Sequence, residues 1–83
     1  MIGAALRHAL AELERLPAVG WQPRTNKPTP YMDALADVQA AGATPAQSDE
    51  LADMWGDVMV GNDPRGEVDH RGRLTAMLTG AAA

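Results

Sequence analysis

Ser48 is the only serine in the 83-residue chain, His8 and His70 are the only imidazoles, and Glu67 stands three residues before His70. These are the side chains whose types could carry covalent or metal chemistry. The E-x-x-H spacing of Glu67 and His70 sets a carboxylate and an imidazole on one helix face in di-iron bundles. Such a centre needs a second copy of the motif and two further glutamates, and here Gly66 and Gly72 interrupt the segment, so no metal is expected. A Ser48-based triad would require the fold to bring unrelated segments together. Ser48 is therefore expected to cap a helix or face water. His8 and Glu12, four residues apart, are expected to pair on a helix surface. With no cysteine, the chain has no thiolate nucleophile, disulfide or cysteine-based zinc site. H-E-x-x-H, phosphate-cradling and dinucleotide-binding glycine motifs are also absent. The expectation is a non-enzymatic protein without cofactor.

The stronger signal is charge. From Tyr31 to Asp63 there are seven acids and no Lys or Arg, in a chain of net charge −4. On a helix from Pro45 to Val60, Asp49, Glu50, Asp53 and Asp57 project opposite Leu51 and Val58, and Asp33 and Asp37 avoid the Leu35 side of the preceding helix. Like charges at i,i+4 cost about 0.2–0.5 kcal/mol each, and 33/37, 49/53 and 53/57 are three such pairs. That cost can be offset by the chain's own Arg7, Arg15, Arg24, Lys27, Arg65, Arg71 and Arg73, or by a second molecule with a basic surface. The bland alternative is a solvated face.

The elements that carry these residues read as all-α: a single small domain of three main helices with a short fourth. Ile2, Leu6, Ala9, Leu10, Leu13 and Leu16 recur at three- and four-residue steps, giving a helix over about 2–16. Residues 17–30 hold four of the six prolines and should form an extended connector, with Trp21 folded back over the core. Thr29-Pro30 starts a helix over about 30–41, and Thr44-Pro45 starts another over about 45–60, capped by Thr44 with Gln47 or, in a shifted register, by Ser48. Residues 62–70 read as loop, 71–79 as a short last helix and the final residues as a frayed tail. No internal repeat stands out beyond the two Thr-Pro starts. With 16 alanines among the apolar residues and no Phe, the core must be thin, and pairing with itself or a partner would add stability.

Two further classes are weighed on this frame. "SDEL" at Ser48 is weakly similar to the acidic helix start of small four-helix carrier proteins. That family places its serine between Asp and Leu, whereas Ser48 lies between Gln47 and Asp49, so no phosphopantetheine is expected. The helix pair joined by "GAT" invites a helix-turn-helix reading, but the Pro45–Asp53 segment carries three acids and no base, which disfavours direct nucleic-acid binding. No run approaches the ~18 apolar residues of a membrane span, and the polar N-terminal helix does not read as a signal peptide. We therefore expect a cytoplasmic protein-binding module: an acidic adaptor or inhibitor that docks Asp33, Asp37, Asp49, Glu50, Asp53 and Asp57, with Trp55 as apolar anchor beside Met54 and Met59, on a basic protein. That partner could be one that handles nucleic acid, the acids then imitating it. The alternatives are a subunit that self-associates through Leu, Met and Ala faces, and a small carrier or enzyme using Ser48 or His70.

Overall fold

A computed structural model describes residues 2–16, 29–66 and 68–82, with side chains through residue 80. It contains four helices in the order α1 (Ile2–Arg15), α2 (Pro30–Ala40), α3 (Pro45–Met59) and α4 (His70–Ala82), and no strand among the described residues. The expected all-α bundle is thus the observed one. Trp21 and the connector over 17–28 lie outside the described residues, as does Glu67.

Each helix start follows from local chemistry. The Thr29 hydroxyl accepts from the Met32 backbone N–H at 3.2 Å, and Pro30, which has no N–H to leave unsatisfied, opens α2. At α3 the capping box closes from both sides. Gln47 N donates to Thr44 Oγ1 at 3.1 Å, and Thr44 N donates to Gln47 Oε1 at 2.9 Å, so Thr44 rather than Ser48 is the cap. The exit of α3 is equally defined. Gly61 takes φ +92°, Asn62 N–H reaches back to Asp57 O at 2.9 Å and Gly61 N–H to Val58 O at 3.1 Å, a Schellman ending that a left-handed glycine permits.

The fourth helix is longer than its periodicity suggested, running to Ala82. Its N-terminus is held by Asp69, whose carboxylate accepts from the Gly72 N–H at 2.9 Å. A Cβ on Gly72 would fall 2.2 Å from Asp69 Oδ2, so a side chain at this position would make the capping carboxylate shift from the place it takes here.

The core is assembled from one stripe of each helix: Leu6, Ala9 and Leu13 of α1, Tyr31, Met32, Leu35 and Val38 of α2, Leu51, Met54 and Val58 of α3, and Leu74 and Met77 of α4. Met54 is fully buried here and so does not act as a surface anchor; Trp55 and Met59 are half-buried against the core. The pattern of packing is uneven. The first helix lies against α2 and α4, and α2 against α3, whereas α3 and α4 barely approach each other through their backbones. Glu12 corrects one expectation: it is buried, only 7% exposed, and bonds Arg15 at 3.1 Å, while His8 is exposed. Glu12 sits where the face of His8 meets the buried stripe of Ala9 and Leu13, so it is covered by the core side while His8, further round the helix, stays exposed.

Removing the α3 cap tests the chosen register. Thr44→Ala should lower unfolding free energy by about 1 kcal/mol in urea melts. Ser48→Ala should stay within about 0.5 kcal/mol.

Candidate functional site

The two sides of α3 differ in what they meet. On one side the gap between α3 and α4 is bridged by side chains. His70, at the first position of α4, is fully buried; its Nδ1 lies 2.7 Å from the Tyr31 hydroxyl of α2 and its Nε2 lies 3.0 Å from Asp57 Oδ2 of α3. A carboxylate can only accept, so Nε2 carries the ring proton and Nδ1 accepts from Tyr31 Oη–H. Both ring nitrogens are satisfied by a neutral imidazole. Neither is directed at Ser48, whose backbone carbonyl instead accepts from Gln39 Nε2 at 2.9 Å on the α2 side.

One turn further along α4, Arg73 reaches back to three acids of α3. Its Nε donates to Glu50 Oε2 at 3.2 Å, its Nη2 to Asp53 Oδ2 at 3.3 Å, and Nη1 stands 3.8 Å from Asp57 Oδ2. The four acids of α3 therefore do not form one outward wall. Asp57 keeps only 17% of its side-chain surface exposed because the His70 and Arg73 side chains reach it from α4, and Asp53, 72% exposed, remains the wettest of the three. Internal neutralisation answers the charge anomaly for Glu50, Asp53 and Asp57.

These contacts shift the titrations in ways that follow from burial and charge. Burial holds the His70 pKa below its ordinary 6.5, with Arg73 nearby pushing the same way, against the opposing hydrogen bond and charge of Asp57. Burial likewise pushes the Tyr31 phenol well above its usual range. For Arg73, burial alone would lower the pKa, but its hydrogen bonds to Glu50 and Asp53 outweigh that and raise it.

The other side of α3 faces α2 across an open depression of about 310 Å³ lined by Ala36, Gln39, Ala52 and Trp55. That is the bottom of the ~300–1,000 Å³ range of small-molecule sites, and the depression is open, so it suits protruding side chains better than an enclosed ligand. Asp33, three residues before Ala36, and Asp49, three residues before Ala52, stand on the same sides of their helices as those alanines. Asp33, Asp37 and Asp49 are exposed, and among the described residues no cation lies within 4 Å of any of them.

Ala36 and Ala52 are not suggested by hydrophobic periodicity, yet the chain carries a signal for them. Asp-x-Leu-Ala-Asp occurs twice, as residues 33–37 and 49–53. The four-residue turn 41–44 brings α3 back along α2, and on two antiparallel helices the same pattern puts its leucines, Leu35 and Leu51, inward and its alanines toward each other. The depression is the result.

Among the described residues no group of three His, Asp or Glu is placed to hold a metal ion, and no helix is long and apolar enough to cross a membrane. Comparison with protein-family models, with curated proteins and with solved structures finds no match.

Two outcomes test the bridged side. The unfolded chain takes up the His70 proton at higher pH than the folded one. This contribution to stability is therefore complete above about pH 6.5 and is lost as pH falls through the lower folded value. Urea unfolding from pH 8 down to 5 should show that decline, and His70→Gln should show less of it. Arg73→Gln should destabilise by about 1–2 kcal/mol by removing the pairing and leaving three like charges together. That loss should shrink in 1 M salt, where the screening length is ~3 Å.

Proposed function

We propose that the protein is a non-enzymatic, cytoplasmic binding module, an acidic adaptor or inhibitor, that docks on a basic surface of another protein. The observation that carries this reading is the set Asp33, Asp37 and Asp49. These carboxylates are exposed and lie beyond 4 Å of any described cation, while Arg73 engages the opposite side of the same helix. Among the described residues, three acids share one arginine and three others stand exposed without a cation nearby, a distribution that gives a one-sided negative field. Such a field accelerates encounter with a cationic partner and weakens as salt rises. Trp55, half-buried in the depression between α2 and α3, supplies the aromatic surface on which binding energy commonly concentrates.

A partner that handles nucleic acid fits this charge, since its basic groove is built for a row of anions. Self-assembly through Leu and Met faces draws less support. Those side chains are largely committed to the core, and Val60 is the exposed large hydrophobic residue among those described. Catalysis or carrier chemistry draws less still, because His70 is enclosed with both nitrogens engaged.

The test is affinity capture from the native host with the full chain, washed at low and high salt, in three forms. The unmodified protein and Glu14→Gln, which removes an exposed acid of α1 away from this surface, should retain the same basic partner. The triple variant Asp33→Asn, Asp37→Asn, Asp49→Asn should lose it while keeping its helical circular dichroism. Equal recovery by the triple variant would sink the reading.

A further inference from the structure

We infer that the depression between α2 and α3 seats one amphipathic helix of the partner, with Lys or Arg on both flanks of a narrow apolar stripe. This rests on the acidic-docking reading above and adds where and in what conformation the partner binds. Among the described residues, helices α2 and α3 form the layer of the bundle whose outer groove carries no third helix, since α1 lies against α2 and α4. The groove is floored by Ala36 and Ala52, so a partner's backbone can approach closely, and the half-buried Trp55 provides a wall for its apolar residues.

The choice of a helix follows from what the groove lacks. Its walls are helices whose backbone N–H and C=O groups are already used along their own ladders, so an extended peptide would find no open edge to pair with. The Gln39 amide nitrogen, the polar group at the rim, donates to Ser48 O at 2.9 Å. What remains is shape, apolar surface and charge, which is how a helix laid in a groove is read.

The charge is placed on both flanks by the repeated Asp-x-Leu-Ala-Asp pattern. Asp33 and Asp37 stand on the α2 crest, Asp49 and Asp53 on the α3 crest, and of these four Arg73 engages Asp53 alone. A helix in the groove would therefore meet carboxylates along each of its long sides. Among the described residues no Lys or Arg lines the depression, which disfavours an anionic occupant such as a nucleic-acid strand.

The experiment titrates the isotope-labelled full chain with two synthetic peptides of equal length and charge, followed by NMR at low and at physiological salt. One is a Leu/Ala/Lys amphipathic helix and the other an oligolysine diluted with Gly and Ser, which has no apolar stripe. The amphipathic peptide should bind about tenfold or more tightly than the oligolysine and should shift the Trp55 indole and the Ala36 and Ala52 amides. The double variant Ala36→Gln, Ala52→Gln changes two exposed positions without altering charge, and its melting temperature checks the fold. It should bring the amphipathic peptide down to the oligolysine's affinity and leave oligolysine binding as it was. Equal affinities for the two peptides, or an unaffected double variant, would overturn the groove assignment while leaving the acidic face standing. If neither peptide binds in a salt-sensitive way, the acidic-docking reading falls with it. If the same groove signals move when the protein alone is concentrated, the occupant is a second copy of this chain and the inference is wrong.

Discussion

The enclosure of His70 is the constraint on which the arrangement of the bundle depends. An imidazole with no exposed surface must have both nitrogens satisfied, and here one partner comes from α2 and the other from α3. Because Tyr31 donates and Asp57 accepts, a single tautomer and a single ring orientation are consistent with the site. The first residue of α4 is thereby fixed relative to two other helices at once. This matters more than it would in a tightly packed bundle, because α3 and α4 scarcely touch through their backbones. Polar side chains join them instead. A partly satisfied network would be worse than an apolar contact, so the pairing also discriminates against misplaced arrangements of α4.

Arg73 extends the same logic from the interior to the surface. Three carboxylates at positions 50, 53 and 57 of one helix would repel one another, and the guanidinium between them turns that repulsion into a second tether. The acids of α3 are therefore not equivalent: Glu50, Asp53 and Asp57 are engaged from α4, whereas Asp49 is exposed with no described cation within 4 Å.

The alanine-rich composition contributes to both sides. It limits the size of the core, which is why a buried polar network has room to define the packing. It also leaves a shallow trough wherever two helices meet with alanine on their facing edges, as at Ala36 and Ala52. In a bundle with Leu at those positions the trough would be filled. The physical origin of the candidate docking surface is thus the absence of side-chain volume next to a surplus of negative charge.

What the sequence by itself determined is local. The two Thr-Pro starts, the left-handed glycine after α3 and the three- to four-residue apolar steps define helices because each signal acts within a turn or two of itself. The inward placement of Leu35, Leu51 and Val58 follows from the same period. The tertiary structure alone decided which acids are neutralised. Tyr31 is 39 positions from His70, His70 is 13 from Asp57 and Arg73 is 23 from Glu50, separations over which periodicity carries no information. A helical wheel puts Asp49 and Asp57 alike on the outer face, and only the reach of His70 and Arg73 from α4 makes one a half-buried partner and leaves the other exposed. The groove is intermediate. Its alanines are visible as a repeated five-residue pattern, but that pattern acquires meaning only when the chain turns back and sets the two copies face to face.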